Sequence, residues 1–166
     1  MKKVNFLLIP ALLLVVTAPI FTACAKPKTD DSTESQDPLL NLTQKRECLD
    51  CDLAAISLPG SDLSQVKLNR SNLSSANLKG ANLEGAMLDS VDLTGADLSG
   101  ANLTGVTLAD ANLSNTNLAG ARLNNAFLSG AILEGTDFSN ADLTGANLVS
   151  TDLTKAKMDG ATLPKE

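Results

Sequence analysis

The sequence predicts an all-β fold in which one extended chain winds into a parallel β-helix, or solenoid, over residues 51–163. Three regularities carry this prediction. Leu occupies 21 of the 23 positions found at every fifth residue from Leu53 to Leu163, with Phe138 and Met158 as the exceptions. A small or β-branched residue, most often Ala, precedes each of these positions by two. All 11 glycines follow one of them by two, so one local conformation is expected to repeat throughout.

The five-residue period excludes a helix and fits short extended pieces joined by corners. A step of five residues turns an α-helix by about 140°, so the Leu side chains would spiral and form no apolar stripe. In an extended segment Ala96 and Leu98 share one parity and face inward, while Asp97 faces outward. Ser99 and Gly100 then suit a β-turn, where Gly and Asn tolerate positive φ.

The repeated unit A-[D/N]-L-x-G resembles the pentapeptide-repeat family. The resemblance implies a right-handed quadrilateral parallel β-helix with four units and 20 residues per coil, and therefore about six coils in this chain. The inward side chains predicted to form its core include Leu78, Leu83, Leu93, Leu98, Leu103, Leu113 and Phe138.

Two features of the sequence support a 20-residue coil. Gly60, Gly80, Gly100, Gly120, Asn140 and Gly160 recur at this spacing, which suggests that one of four corners needs positive φ more than the others. Outward Asp residues that precede a Leu never recur at a spacing of 20. This is expected if residues 20 apart are neighbours, because stacked like charges are destabilising.

Residues 1–23 are predicted to be an export signal. Lys2 and Lys3 form a basic start, and an apolar run over residues 4–16 is too short for a bilayer span, which needs about 20 residues. The four residues that end in Cys24 resemble a bacterial lipobox, although Phe21 stands where that motif prefers Leu. Lipidation at Cys24 is preferred to ordinary cleavage before Lys26, because the hydrophilic stretch that follows suits an anchored domain.

The segments flanking the repeats are predicted from composition. Residues 24–37 read as a lipid-anchored, disordered tether because they lack large apolar side chains. Residues 38–50 read as an N-terminal cap, with Pro38 starting a short capping helix that reaches about Arg46. Residues 164–166 form a C-terminal tail, which leaves that end of the solenoid poorly protected.

Cys48 and Cys51 form a C-x-x-C pair at two inward positions of the period. Two buried cysteines beside a corner and a disulfide across it are both compatible with the spacing, because the first and last residues of a β-turn have Cα atoms under about 7 Å apart. An exported protein also meets oxidising conditions. Zinc is disfavoured because two ligands are missing and the chain contains no His.

Composition argues against catalysis and against nucleic acid. The chain has no His, Tyr or Trp, and a Leu-filled interior leaves no concave pocket for a small-molecule substrate. No catalytic, cofactor-binding or metal-binding residue is therefore predicted. The net charge of -6 disfavours direct binding of nucleic acid.

The sequence favours a non-enzymatic structural or protein-interaction module, with an unidentified protein or a second copy as its partner. The predicted interaction patch is Met87, Phe127, Ile132 and Val149, where apolar side chains interrupt the polar outward positions. The predicted location is the periplasmic side of a bacterial membrane, with a soluble periplasmic or thylakoid-lumen location as the alternative. The alternative function is a soluble acidic inhibitor or immunity-type protein that mimics a charged ligand such as DNA, as the resemblance suggests for some family members.

Overall fold

The structure is a computed structural model that describes residues 41–165. Its helices are a π-helix over Asn41–Lys45 and a 3-10 helix over Leu153–Lys155. Between Glu47 and Thr162 the chain is joined by parallel β-bridges, each of which links a residue to the one 20 positions later. These bridges are isolated, one per five-residue unit, and no longer strand forms within residues 41–165. Four units therefore complete a coil, and the prediction of an all-β solenoid is confirmed.

The unit Ala101–Gly105 shows how the backbone of each coil is bonded. Its first N–H donates to the carbonyl three residues earlier across 3.0 Å and so closes a corner. The second N–H donates backwards to the oxygen of Ala81 at 2.9 Å. The third and fifth donate forwards to the oxygens of Arg122 and Asn124 at 2.7 and 2.8 Å. Each coil is thus held by its two neighbours, as in other solenoids.

Every corner of the solenoid uses the left-handed backbone region. The residue two positions after each inward Leu has φ between +54° and +73° from Asp50 to Gly160, with Lys155 as the exception. Positive φ at the third residue of a turn closed by an i to i+3 hydrogen bond defines a type II turn. The expectation that one corner column needs positive φ more than the others is therefore wrong. All four corners require it, because all are the same turn.

Steric contact between stacked corners explains part of the glycine pattern. A Cβ added to Gly135 would lie 2.6 Å from Oδ1 of Asn115, which occupies the corner one coil earlier. Gly160 stands in the same relation to Asn140, again at 2.6 Å. A Cβ at Gly100 would meet no atom within 4 Å. Glycine is therefore needed for space where the corner one coil earlier carries Asn, Asp or Gln, and at corners such as Gly100 only for its backbone conformation.

The core runs along the solenoid axis and consists of the inward Leu and Ala side chains. All the predicted core residues are at most 1% exposed: Leu78, Leu83, Leu93, Leu98, Leu103, Leu113 and Phe138. Thr116 and Thr136 replace inward Ala and are fully buried, and their hydroxyls donate to backbone oxygens one coil earlier at 2.7 Å. These bonds remove the free-energy cost of burying a hydroxyl.

The predicted capping helix is wrong for the part of it that the structure describes. Asn41–Lys45 is one π-helical segment, and Arg46 with φ +53° ends it. The helix cannot continue because the Arg46 oxygen accepts the N–H of Lys67, which starts the parallel pairing. Leu42 is nevertheless 3% exposed and packs within the core cluster. Residues 38–40 lie outside the described range.

The repeat departs from its regular conformation in the last coil. Leu153–Lys155 forms a 3-10 turn whose N-cap, Asp152, accepts the N–H of Thr154. The bridge expected between Ile132 and Asp152 is missing from the otherwise continuous series of bridges between residues 47 and 162. Ser150 and Gly160, in the same coil, keep the left-handed conformation, so the departure is confined to the unit that ends at Lys155.

Candidate interaction surface

The outward Asp or Asn of most units caps the corner that follows it. Oδ1 of Asp97 accepts the N–H of Ser99 at 2.9 Å, and Oδ1 of Asn117 accepts that of Ala119 at 3.1 Å. This N–H is the one donor of each unit that the backbone leaves unpaired, so the side chain completes the hydrogen bonding of the unit. The same bond is made by Asp52, Asp62, Asn72, Asn77, Asn82, Asp92, Asn102, Asn112, Asp137, Asp142, Asn147 and Asp152.

The unit Ser57-Leu58-Pro59 shows the converse arrangement. Ser57 stands here in place of the usual Asp or Asn, and Pro59 has no N–H that needs a cap. This unit therefore lacks both the turn N–H that needs a cap and the Asp or Asn that would cap it. The outward Asp and Asn therefore serve the backbone as well as the solvent.

The caps are also joined to one another along each polar face. Asn117 donates Nδ2 to Oδ1 of Asp97 at 3.1 Å, and Asn82 does the same to Asp62 at 3.2 Å. On the face that carries Asp137, Lys157 forms an ion pair with this carboxylate at 3.1 Å. Because at least one Asn separates successive Asp residues in a column, like charges lie two or more coils apart and their repulsion is reduced.

Hydrogen bonding lowers the pKa of several of these carboxyl groups. The N–H of Ser99 holds the pKa of Asp97 below its ordinary value, and the N–H of Ser64 has the same effect on the pKa of Asp62. A donor that binds the ionised form favours it over the protonated form. The polar faces are therefore ionised and capped at neutral pH.

One face departs from this pattern and carries most of the predicted interaction patch. Met87 pairs with Thr107 and Thr107 with Phe127, so Met87 and Phe127 lie two coils apart on the same face. Met87 is 45% exposed and Phe127 is 50% exposed. Val149, 63% exposed, follows Asn147, which is the neighbour of Phe127 on the next coil. Three residues of the patch thus share one face.

Ile132 lies on the adjoining face, where it pairs with Asn112. It is 52% exposed and is separated from Phe127 by one corner. Its other neighbour in the ladder would be Asp152, where the bridge is missing. The side of Ile132 towards the C-terminal end therefore borders an irregular part of the surface.

Asp89 supports the face around Met87 and was not among the predicted residues. Met87 has no side-chain oxygen with which to cap a corner, and Oγ1 of Thr107 makes no hydrogen bond within residues 41–165. Asp89, at the turn position after Met87, accepts the N–H of Ala109 at 3.2 Å and Nδ2 of Asn69 at 3.1 Å. The sequence did contain a signal for this role: Asp89 stands in a unit whose outward residue, Met87, is apolar. Asp89 replaces the missing cap from one coil away.

The remaining predicted site residues lie at the start of the solenoid, where Glu47 precedes Met87 by two coils on the same face, or outside the described range. Cys48 and Cys51 are joined by a disulfide with a Cα–Cα distance of 5.6 Å, at the first corner of the solenoid. Cys24 precedes residue 41, so its predicted lipidation has no structural counterpart here.

Among residues 41–165, no helix has the length and the apolar character of a membrane span. No group of three or more His, Cys, Asp or Glu side chains in the described part of the chain has the arrangement of a metal site.

Comparison with known proteins identifies relatives of the repeat region. The family model for pentapeptide repeats matches residues 47–85, 67–105, 96–135 and 123–160. No curated protein sequence gives a significant match.

Among solved structures, the pentapeptide-repeat protein Rfr23 from the cyanobacterium Cyanothece 51142 is 32% identical, with 76% of this chain and 97% of that chain covered and a TM-score of 0.53. A pentapeptide-repeat protein from Nostoc PCC 7120 is also 32% identical, over 75% of this chain and 90% of that chain, with a TM-score of 0.52. A pentapeptide-repeat protein from the Arabidopsis thaliana thylakoid lumen is 35% identical, over 64% and 71% of the two chains, with a TM-score of 0.42.

Proposed function

Because the chain belongs to the pentapeptide-repeat family, we propose that it is a non-enzymatic protein-interaction module, exported and anchored to a membrane by lipid on Cys24. The observation that carries the interaction role is the exposure of Met87, Phe127 and Val149 on one face. The outward positions elsewhere are mostly capping Asp and Asn. Apolar side chains exposed together are the usual signature of a contact surface.

The size of the patch favours a weak contact. Four side chains cover at most a few hundred Å², whereas stable interfaces bury about 800 Å² per partner. The contact therefore suits self-association, or a partner that is held nearby. Anchoring in a membrane would raise the effective concentration of either partner.

The interaction role is tested with Phe127→Asp in the full-length chain. Burial of Phe127 in a contact is worth about 1.5–3 kcal/mol, so the variant should weaken association roughly 10-fold to 100-fold. Sedimentation equilibrium measures self-association. To detect another partner, a photo-crosslinkable phenylalanine analogue is incorporated at position 127 in the cells that produce the protein, where illumination should link it to a bound partner.

Ser57→Asp is the matched control, because it adds the same charge on the opposite face, where Nδ2 of Asn77 now donates to the Ser57 hydroxyl and can donate to the new carboxylate. It should leave association unchanged, and a photo-crosslinker at position 57 should capture nothing. If association survives Phe127→Asp and is lost in Leu163→Lys, the open C-terminal coil is the contact and the patch is not.

The proposed anchor rests on residues 1–37. The basic start, the short apolar run and the Cys at position 24 support export and acylation, and the hydrophilic stretch after Cys24 supports a tether. Intact mass of the mature protein should show an acylated Cys24 as the first residue, and Cys24→Ser should release the protein from the membrane fraction. A mature chain that begins with unmodified Lys26 would contradict the anchor without affecting the interaction role.

A further inference from the structure

The corner between Cys48 and Cys51 is closed differently from the other corners. At a typical corner, Ala101 donates its N–H directly to the oxygen of Leu98. At the first corner, Cys51 donates its N–H to Oγ of Ser71 at 3.1 Å, and this hydroxyl donates to the oxygen of Cys48 at 2.7 Å. A side chain of the next coil is thus inserted into the turn, and the disulfide joins its two ends.

Within the described residues, the disulfide lies in a terminal coil, which pairs with one other coil and not with two. Residues 47–66 pair with the coil that follows them, at Lys67, Asn72, Asn77 and Asn82. Cys51, Ile56 and Leu58 are only partly buried, whereas the inward residues of the central coils are almost fully buried. In a solenoid the stability of each repeat depends on its contacts with adjacent repeats, so a terminal coil opens before the central ones.

The ion pair at this corner is a weak constraint. Arg70 makes a two-point contact with Asp50 at 2.8 and 2.7 Å, but the two side chains are 58% and 61% exposed. Exposed ion pairs of this kind contribute little because solvent screens them. The disulfide is therefore the covalent constraint on the first corner, beside the backbone hydrogen bonds from the Cys48 N–H to the Lys67 oxygen and from the Asn72 N–H to the Cys51 oxygen, both at 2.8 Å.

We propose that the Cys48–Cys51 disulfide is a redox-sensitive latch: its reduction by a dithiol opens the first coil while the central coils stay folded. Such a latch is independent of the proposed interaction patch. Opening would free the groups of the second coil that now pair with the first, among them the N–H of Asn72, which donates to the Cys51 oxygen.

The chemistry of the latch is thiol–disulfide exchange. A thiolate of the dithiol attacks Sγ of Cys51, because Cys48 is only 3% exposed and Cys51 is partly exposed. The S–S bond breaks, Cys48 leaves as a thiolate and takes up a proton, and a mixed disulfide forms on Cys51. The second thiol of the reductant then displaces Cys51. Two protein thiols and one oxidised, cyclic reductant result, with two electrons and two protons transferred.

The size of the effect follows from the ring that is opened. Release of a four-residue disulfide ring corresponds to roughly a 20-fold change in the opening equilibrium. Amide exchange should therefore quicken about 20-fold in the first coil, for example at Leu53 and Ala55, whose N–H groups donate to the second coil. Exchange at Leu98, in a central coil, should be unchanged and serves as the internal control.

The test is hydrogen exchange read by mass spectrometry on the full chain, with and without dithiothreitol and again after reoxidation. We expect faster exchange over residues 47–58 in the reduced protein and recovery on reoxidation. Cys48→Ser with Cys51→Ser should behave as the reduced protein does and should not respond to dithiothreitol. Equal protection in both redox states, loss of protection in all coils together, or resistance to reduction until the whole chain unfolds would each overturn the latch.

Discussion

Asn117 lies one coil after Asp97 and donates Nδ2 to its Oδ1 across 3.1 Å, while the same oxygen accepts the N–H of Ser99. One carboxylate oxygen thus caps its own corner and binds the next coil. Asn117 also pairs with Asp137 on its other side. The position therefore separates two carboxylates and needs a side chain that can donate as well as accept.

Asn117→Asp should destabilise the solenoid by roughly 1–3 kcal/mol, because it removes a donor and places three carboxylates in one row. Urea unfolding at pH 7 measures the change. The loss should shrink below about pH 4, where carboxyl groups become protonated. Asp97→Asn is the control and should cost under about 0.5 kcal/mol, since Asn102 donates to Asn82 in the same way at 3.0 Å. Equal losses in the two variants would contradict this role.

Acid should weaken the fold through the capping carboxylates. The pKa values of Asp62 and Asp97 are lowered in the folded state by backbone donors. Their contribution is therefore fully present above the unfolded-state pKa of about 3.9 and is lost as the pH falls through the folded-state values. The urea midpoint should be level from pH 7 to 5 and fall below pH 4. Asp62→Asn with Asp97→Asn should flatten that fall, and an unchanged acid profile would contradict the assignment.

Replacement of glycine by Ala should cost more stability at Gly135 than at Gly100, because Gly135 stacks closely on an Asn corner. Gly100→Ala should cost about 1 kcal/mol because of its positive φ alone. Gly135→Ala has the same backbone cost and must also displace Oδ1 of Asn115, so its loss should be larger by about 1 kcal/mol. Addition of Asn115→Ala should remove the difference, which a double-mutant cycle of thermal unfolding would measure. Additive effects of the two substitutions would exclude the contact.

Replacement of an inward residue by a charge should unfold several coils. Leu103 is fully buried, so Leu103→Lys should cost several kcal/mol. Ala119→Lys places the same side chain at a partly exposed turn position and should change stability by under about 0.5 kcal/mol. Lys79 already occupies the equivalent position two coils earlier. Circular dichroism melts of the two variants provide the comparison, and similar midpoints would be inconsistent with the inward position of Leu103.

The architecture could be predicted because the rule for each unit is local and repeats without interruption. Inward Leu and Ala and the corner position follow from parity within five residues. The left-handed conformation of Arg70, Ser90 and Gln65 could not be predicted in this way, because these residues disfavour it in isolation. The turn hydrogen bond and the adjacent coils impose it on them.

The departures from the repeat arise at its ends and on its surface. The sequence Asp152-Leu153-Thr154-Lys155 keeps the five-residue period, yet it forms a 3-10 turn, while Ser150 and Gly160 on either side of it keep the left-handed corner. The N-terminal helix ends at Lys45 because the first bridge begins at Glu47. Asp89 escaped prediction for a different reason: its function depends on Ala109, 20 residues away, and not on its own unit.

Pairing at a distance of 20 residues also sets which changes of length this protein can tolerate. Duplication or loss of one five-residue unit would keep every inward Leu buried, but it would turn all later units by one side of the coil. Insertion of such a unit between Met87 and Phe127 would place these two side chains on different faces. A gain or loss of four units would leave every face as it is. Changes of length in steps of five residues therefore preserve the core, whereas only steps of 20 residues also preserve the arrangement of side chains on the surface.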